Sequence, residues 1–171
     1  MSATIWLTGL PASGKSTLAQ LLATRLRAQG HAVVVLDGDV VRAGLSRDLG
    51  FSAADRSEQS RRVAHVARLL NSSGVIAIAA LISPLASVRA HARHIHGALP
   101  FLEVWVRCPL AVCEQRDPKG MYAKARRGEI ADFTGVSGPY EEPAAADVIA
   151  LTDEFDVDAC AELVMAKLSH R

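Results

Sequence analysis

Ile5-Trp6-Leu7-Thr8-Gly9-Leu10-Pro11-Ala12-Ser13-Gly14-Lys15-Ser16-Thr17 is the stretch that decides the fold. An apolar run enters it, Gly9 to Ser16 match G-x-x-x-x-G-K-[ST], and a helical pattern leaves it, which is the setting of a phosphate-binding P-loop. Glycine at both fixed positions lets the chain turn tightly, so that successive N–H groups face one concavity and cradle phosphate oxygens. Pro11 has no N–H to give, so the cradle falls to Ala12 through Ser16. Lys15 is placed to reach the β- and γ-phosphates of a nucleotide and Ser16 to set its hydroxyl on Mg²⁺, while the positive end of the following helix adds to the field.

Working outward, short apolar runs recur at residues 5–7, 33–36, 75–80, 101–106 and 148–151. They read as five buried parallel strands. Amphipathic stretches separate them, clearest at 16–29, which Gly30 is placed to stop, and at 58–70, where Val63, Val66, Ala67 and Leu70 share one face. Strands alternating with helices imply βαβ crossovers, and hence a P-loop NTPase-type five-stranded parallel sheet with helices on both faces. No linker or repeat divides the chain, so residues 1–171 are expected to form one domain. The longest stretch without a strand signal, 117–146, carries Lys119, Lys124, Arg126 and Arg127 between glycines and reads as a lid; a solvated surface helix is the plainer alternative.

Ligands of such sheets bind beyond the carboxyl ends of the strands, so those ends are where chemistry is expected. The second strand is expected to run through Val35-Leu36-Asp37-Gly38-Asp39 beside the P-loop strand, and alternation then sends both carboxylates to one side. Either can hold Mg²⁺ or take a proton from an attacking hydroxyl; a simple turn would use the same residues. Arg42, Arg56, Arg61 and Arg62 surround Phe51, and arginine forks bind phosphate or sulfate while an exposed Phe stacks on a base. As single residues they read equally as solvated charges and a core ring. The third strand ends at Ile82-Ser83-Pro84, where Ser83 is either a substrate contact or a loop serine.

Composition excludes several classes. With 19 Lys+Arg against 18 Asp+Glu, no bulk charge points to nucleic acid or a membrane surface. Cys108, Cys113 and Cys160 are odd in number and lack C-x-x-C spacing, so reduced buried thiols are expected rather than disulfides or a zinc site. His91, His94 and His96 have no suitably spaced carboxylate or thiolate and are not read as a metal cluster. No apolar run nears the roughly 18 residues that span a bilayer, and the start carries no secretory pattern, so a cytoplasmic location is expected. A guanine-nucleotide switch should carry N-K-x-D, whereas the single Asn, Asn71, is followed by Ser72.

At this level of detail the chain resembles the adenylylsulfate kinases. Gly9 to Thr17 are similar to the family P-loop, Leu36-Asp37-Gly38-Asp39 with Arg42 and Gly44-Leu45 to its second motif, and Leu49-Gly50-Phe51-Ser52 with Asp55-Arg56 to its third. Ile82-Ser83-Pro84, residues 113–120 with Arg116 and Lys119, Gly128-Glu129-Ile130, Phe133-Thr134-Gly135 and Pro139-Tyr140-Glu141 extend the likeness over most of the chain. The resemblance implies transfer of the ATP γ-phosphoryl group to the 3′-hydroxyl of adenosine 5′-phosphosulfate. It implies ATP contacts by residues 9–17 and Arg116, catalysis by Lys15, Asp39 and Ser83, and Mg²⁺ held by Ser16 and Asp37. The acceptor would be bound by Asp37, Asp39, Arg42, Phe51, Arg56, Gln59, Ile82, Ser83, Lys119, Phe133 and Thr134. Phe51 and Phe133 would sandwich its adenine, and Ser83 matches a serine described as a phosphoserine. A homodimer and a functional link to the ATP sulfurylase that makes the substrate also follow from it. The chain departs from the family pattern at Val40 and Gln59, where Asn is usual, and at Leu85 and Ala86, where an aromatic residue and Arg are usual. Those departures motivate an alternative acceptor, a related nucleotide or a small alcohol.

Overall fold

The structure, a computed structural model, describes residues 1–170; Arg171 lies outside the described residues. Five parallel strands form one sheet: β1 Thr4–Thr8, β2 Val33–Asp37, β3 Ile76–Ala80, β4 Phe101–Arg107 and β5 Val148–Leu151. Their order is β2-β3-β1-β4-β5, so the strand that feeds the P-loop is central. β2 is an edge strand, separated from β1 by β3, and the expectation that it lies beside the P-loop strand is corrected.

Alternation along β1 distributes the core. Ile5 and Leu7 pack on one face among Leu18, Leu22 and Leu26 of helix α1 (Lys15–Ala28) and Val164 and Leu168 of helix α7 (Val157–Ser169). Trp6 points to the other face, among Val63 and Ala64 of helix α3 (Ala53–Ser72) and Ala92 and Ile95 of helix α4 (Ala86–His96). Its neighbours in register are Ala79 on β3 and Glu103 on β4, and the small Ala79 side chain leaves room that the indole fills. Both sheet faces are thereby covered, as a parallel sheet requires.

Three shorter helices shape the ligand edge: α2 Gly38–Ala43, α5 Leu110–Arg116 and α6 Met121–Arg126. The strand boundaries match the apolar runs closely, with β3 opening at Ile76 rather than 75. α2 is the principal surprise. β2 stops at Asp37, whose carboxylate caps the new helix by accepting the Asp39 N–H at 3.0 Å, so strand alternation does not govern Asp39. Among the described residues no helix is long and apolar enough to cross a membrane. The three cysteines are free and buried.

Candidate active site

The donor side is built on the turn between β1 and α1. A Cβ on Gly9 would lie 2.4 Å from the Val106 carbonyl oxygen, so only glycine lets the loop leave the sheet there. Ala12 (φ 61°) and Gly14 (φ 101°) take left-handed conformations, which curl the N–H groups inward. Three outside side chains hold this curl. Thr152, just past β5, donates its hydroxyl to the Ser13 carbonyl at 2.7 Å; Arg116 donates to the Thr152 carbonyl at 2.6 Å; and the buried Tyr122 of α6 donates to the Pro11 carbonyl at 2.8 Å.

Lys15 is 9% exposed, and its Nζ donates to the Gly9 and Leu10 carbonyls at 2.9 and 2.7 Å. Burial of the ammonium lowers its pKa to about 8, against the opposing pull of Asp37 and Asp39. Ser16 donates to Asp37 Oδ2 at 2.6 Å. That contact crosses from α1 to the end of β2, and it brings the phosphate loop and the Asp37-Gly38-Asp39 turn to one place despite the intervening strand.

Opposite lies a more exposed surface. Asp39, with 71% of its side chain exposed, forms an ion pair with Lys119 from the segment before α6. Arg42 lies over the ring of Phe51, 4.4 Å from its centroid, and donates to the Gly50 carbonyl at 2.6 Å, while Phe51 is 61% exposed. Arg56 uses all three nitrogens: Nε to the Phe51 carbonyl at 2.8 Å, Nη1 to Thr134 Oγ1 at 2.9 Å and Nη2 to the Asp132 carbonyl at 3.0 Å. α3 thus holds the 132–134 segment.

The remaining expected residues are drawn inward. Phe133 is buried edge-on against Tyr122, with centroids 5.0 Å apart, so its ring is a packing surface here. Ser83 is buried, and its Oγ accepts from the Trp6 indole at 3.1 Å. Gln59 is buried and donates to the Gly38 carbonyl at 3.1 Å, which props the turn that carries Asp39. The Ile82 carbonyl accepts from Thr8 Oγ1 at 2.6 Å. Val40 is exposed, and the Ala86 N–H, at the start of α4, is bound by Glu141 Oε2 at 2.7 Å. Arg61 and Arg62 lie apart from this set, paired with Glu58 and with Glu58 and Asp48.

Sequence reasoning missed Thr152, Tyr122 and Asp117, whose carboxylate caps α6 through the Tyr122 and Ala123 N–H groups. Thr152 was findable, because it follows the fifth strand at the same carboxyl edge that singled out Asp37 and Ser83. Tyr122 was not, since nothing local marks an aromatic in a charged stretch as the support of a distant loop.

The family model described as adenylylsulphate kinase matches residues 1–151. The chain belongs to that family. It is 54% identical over 166 residues to an adenylyl-sulfate kinase of Paraburkholderia xenovorans, a match covering 97% of this chain and 92% of the relative. The structure of the Mycobacterium tuberculosis APS kinase CysC in complex with AMPPNP and APS superimposes with a TM-score of 0.95 at 47% identity, covering 98% of each chain. The hexameric APS kinase from Thiobacillus denitrificans matches with a TM-score of 0.76 at 32% identity, over 99% of this chain and 29% of that one. Membership makes this an ATP-dependent phosphotransferase, an adenylylsulphate kinase in class, with the sheet order and P-loop described above as its scaffold.

Proposed function

We propose that this chain transfers the γ-phosphoryl group of ATP to the ribose 3′-hydroxyl of adenosine 5′-phosphosulfate, with Asp39 as the group that orients that hydroxyl and takes its proton. The observation that carries the reading is the 2.6 Å contact between Ser16 and Asp37, because it sets the turn bearing Asp39 against the phosphate loop. In-line transfer needs the two reactants held end to end more than it needs a covalent intermediate, and this juxtaposition supplies that arrangement. Lys15 then leaves the Gly9 and Leu10 carbonyls for phosphate oxygens and stabilises charge as the bond to the leaving group breaks. Arg116, against Thr152, flanks the ATP side.

The Ser16 hydroxyl and the Asp37 carboxylate are hard oxygen donors side by side, the chemistry Mg²⁺ prefers. Those two residues would hold the ion, which would supply charge neutralisation for the phosphates of ATP. On the acceptor side we assign the phosphosulfate to Arg42 and Arg56, and the adenine to Phe51 and, on rearrangement of the Tyr122 contact, Phe133. Lys119 and Thr134 would join them from the other bank, and the backbone at Ile82 and Ser83 would close the floor. Ser83 serves this reading as a positioned loop residue, since its hydroxyl is engaged by Trp6. Segment 117–146 is proposed as the lid, because it already touches both sides: the P-loop through Tyr122, Asp39 through Lys119, and α3 through Arg56. A cytoplasmic homodimer working after an ATP sulfurylase completes the proposal.

The test is ADP release by the purified protein with Mg·ATP and a panel of acceptors. Release is expected to depend on adenosine 5′-phosphosulfate and to give the 3′-phosphorylated product. Equal stimulation by another nucleotide or a small alcohol, and none by adenosine 5′-phosphosulfate, would move the acceptor assignment to the alternative that Val40, Gln59, Leu85 and Ala86 suggest.

A further inference from the structure

Behind the 82–84 loop lies an arginine that none of the assigned roles uses. Arg89, in the first turns of α4, is 2% exposed, and each of its guanidinium nitrogens has a partner. Nη1 donates to the Ser83 carbonyl at 2.8 Å, Nη2 to the Glu141 carbonyl at 2.7 Å, and Nε lies 3.3 Å from Glu103 Oε1. Its two carbonyl partners belong to different segments, the loop after β3 and the lid. Ser83 closes the strand end, held at a φ of 44° that a side chain other than glycine rarely adopts. Glu141 lies within the lid segment, toward its far end, and its own N–H binds the Pro84 carbonyl at 2.7 Å. Tyr140 extends the web: its hydroxyl lies 3.0 Å from Thr8 Oγ1, the group that holds the Ile82 carbonyl.

We propose that Arg89 is a positioning residue for the phosphoryl acceptor: from inside the protein it clamps the Ser83 loop to the lid segment at Glu141 and so sets the acceptor floor without touching the acceptor. A planar fork with fixed donors can hold two carbonyls in one plane, which a lysine point charge cannot. Restraining Ser83 in its left-handed turn also keeps the side chain under Trp6, which makes the indole a reporter of the loop. The inference rests on the reading that Ile82 and Ser83 face the acceptor, and the experiment therefore carries a readout that does not require turnover.

Three variants separate positioning from fold support. Arg89→Lys keeps the charge beside Glu103 and loses the fork. Glu103→Gln loses the ion pair and keeps both carbonyl contacts. Arg89→Gln combined with Glu103→Gln removes the fork without stranding a buried charge, and it serves if Arg89→Lys does not fold. Arg89→Lys and the double variant are expected to raise the KM for adenosine 5′-phosphosulfate about tenfold, with the KM for ATP changed less than about twofold, whereas Glu103→Gln moves neither beyond about twofold. In a Trp105→Phe background, where Trp6 is the single tryptophan, the two Arg89 variants should shift the indole emission and Glu103→Gln should not. An unchanged acceptor KM, equal rises in both KM values, or the same defect in Glu103→Gln alone would overturn the proposal. If wild-type protein does not use this acceptor, the functional reading falls and the emission still decides: a shift confirms the clamp on Ser83, and an unshifted indole ends it.

Discussion

On the donor side of the cleft the ligand surface is main chain, curled by two left-handed residues and pinned from outside by Thr152 and Tyr122. On the side we assign to the acceptor it is side chain, carried by Asp39, Arg42, Phe51 and Lys119, several of them largely exposed. The first surface is fixed by the fold itself. The second is held by contacts that solvent screens, such as the Asp39–Lys119 pair, so its geometry depends on what binds there. On the proposed reading, preorganisation for triphosphate and adaptability for acceptor are therefore properties of different materials within one cleft.

The sharpest way to break that contrast is at Asp39. Asp39→Ala should lower kcat by about 10²- to 10⁴-fold, the range for loss of a positioned base, while ATP affinity measured by calorimetry stays within about twofold. A comparable loss of ATP affinity would show that the two sides are one surface. Phe51→Ala should act next most strongly, raising the acceptor KM about tenfold through lost stacking and leaving the KM for ATP in place. An unchanged acceptor KM would take Phe51 out of the site.

The smallest expected effect concerns Lys15. Because burial holds its pKa near about 8 instead of 10.5, the folded protein carries fewer protons at this group than the unfolded chain between those two values. Stability from this group therefore rises with pH across that window, and below it both states are charged and the full cost of burial is felt. Phosphates placed around Nζ favour the charged form, so nucleotide binding at about pH 8.5 should take up a fraction of a proton, and at about pH 6.5 none. Titration calorimetry in buffers of different ionisation heat reads this directly. Uptake that persists in Lys15→Met would assign the proton elsewhere.

Much of this architecture was legible in the residues, and the exceptions have local causes. The five apolar runs gave the strands because a sheet buried on both faces leaves no polar alternation to confuse them. Gly9 and Gly14 were readable because the first has no room for a Cβ beside the Val106 carbonyl and the second takes a φ of 101° that side-chain-bearing residues rarely adopt. The edge position of β2 was not readable, since strand order depends on how crossovers pack rather than on any strand's own residues. Asp39 was assigned to a strand for a related reason: Asp-Gly-Asp suits a turn, a strand end and a helix cap alike, and only the Asp37 carboxylate meeting the Asp39 N–H chooses among them. The inward turn of Gln59, Ser83 and Phe133 was hidden too, because each depends on a partner in another element, at Gly38, Trp6 and Tyr122.

The bond from Thr152 to the Ser13 carbonyl joins residues 139 positions apart. As the chain emerges from a ribosome, the glycine-rich motif comes out well before its brace, which arrives only after β5 has been made and has found the sheet. A nascent chain thus carries the sequence of the phosphate loop long before it carries the contact that braces it.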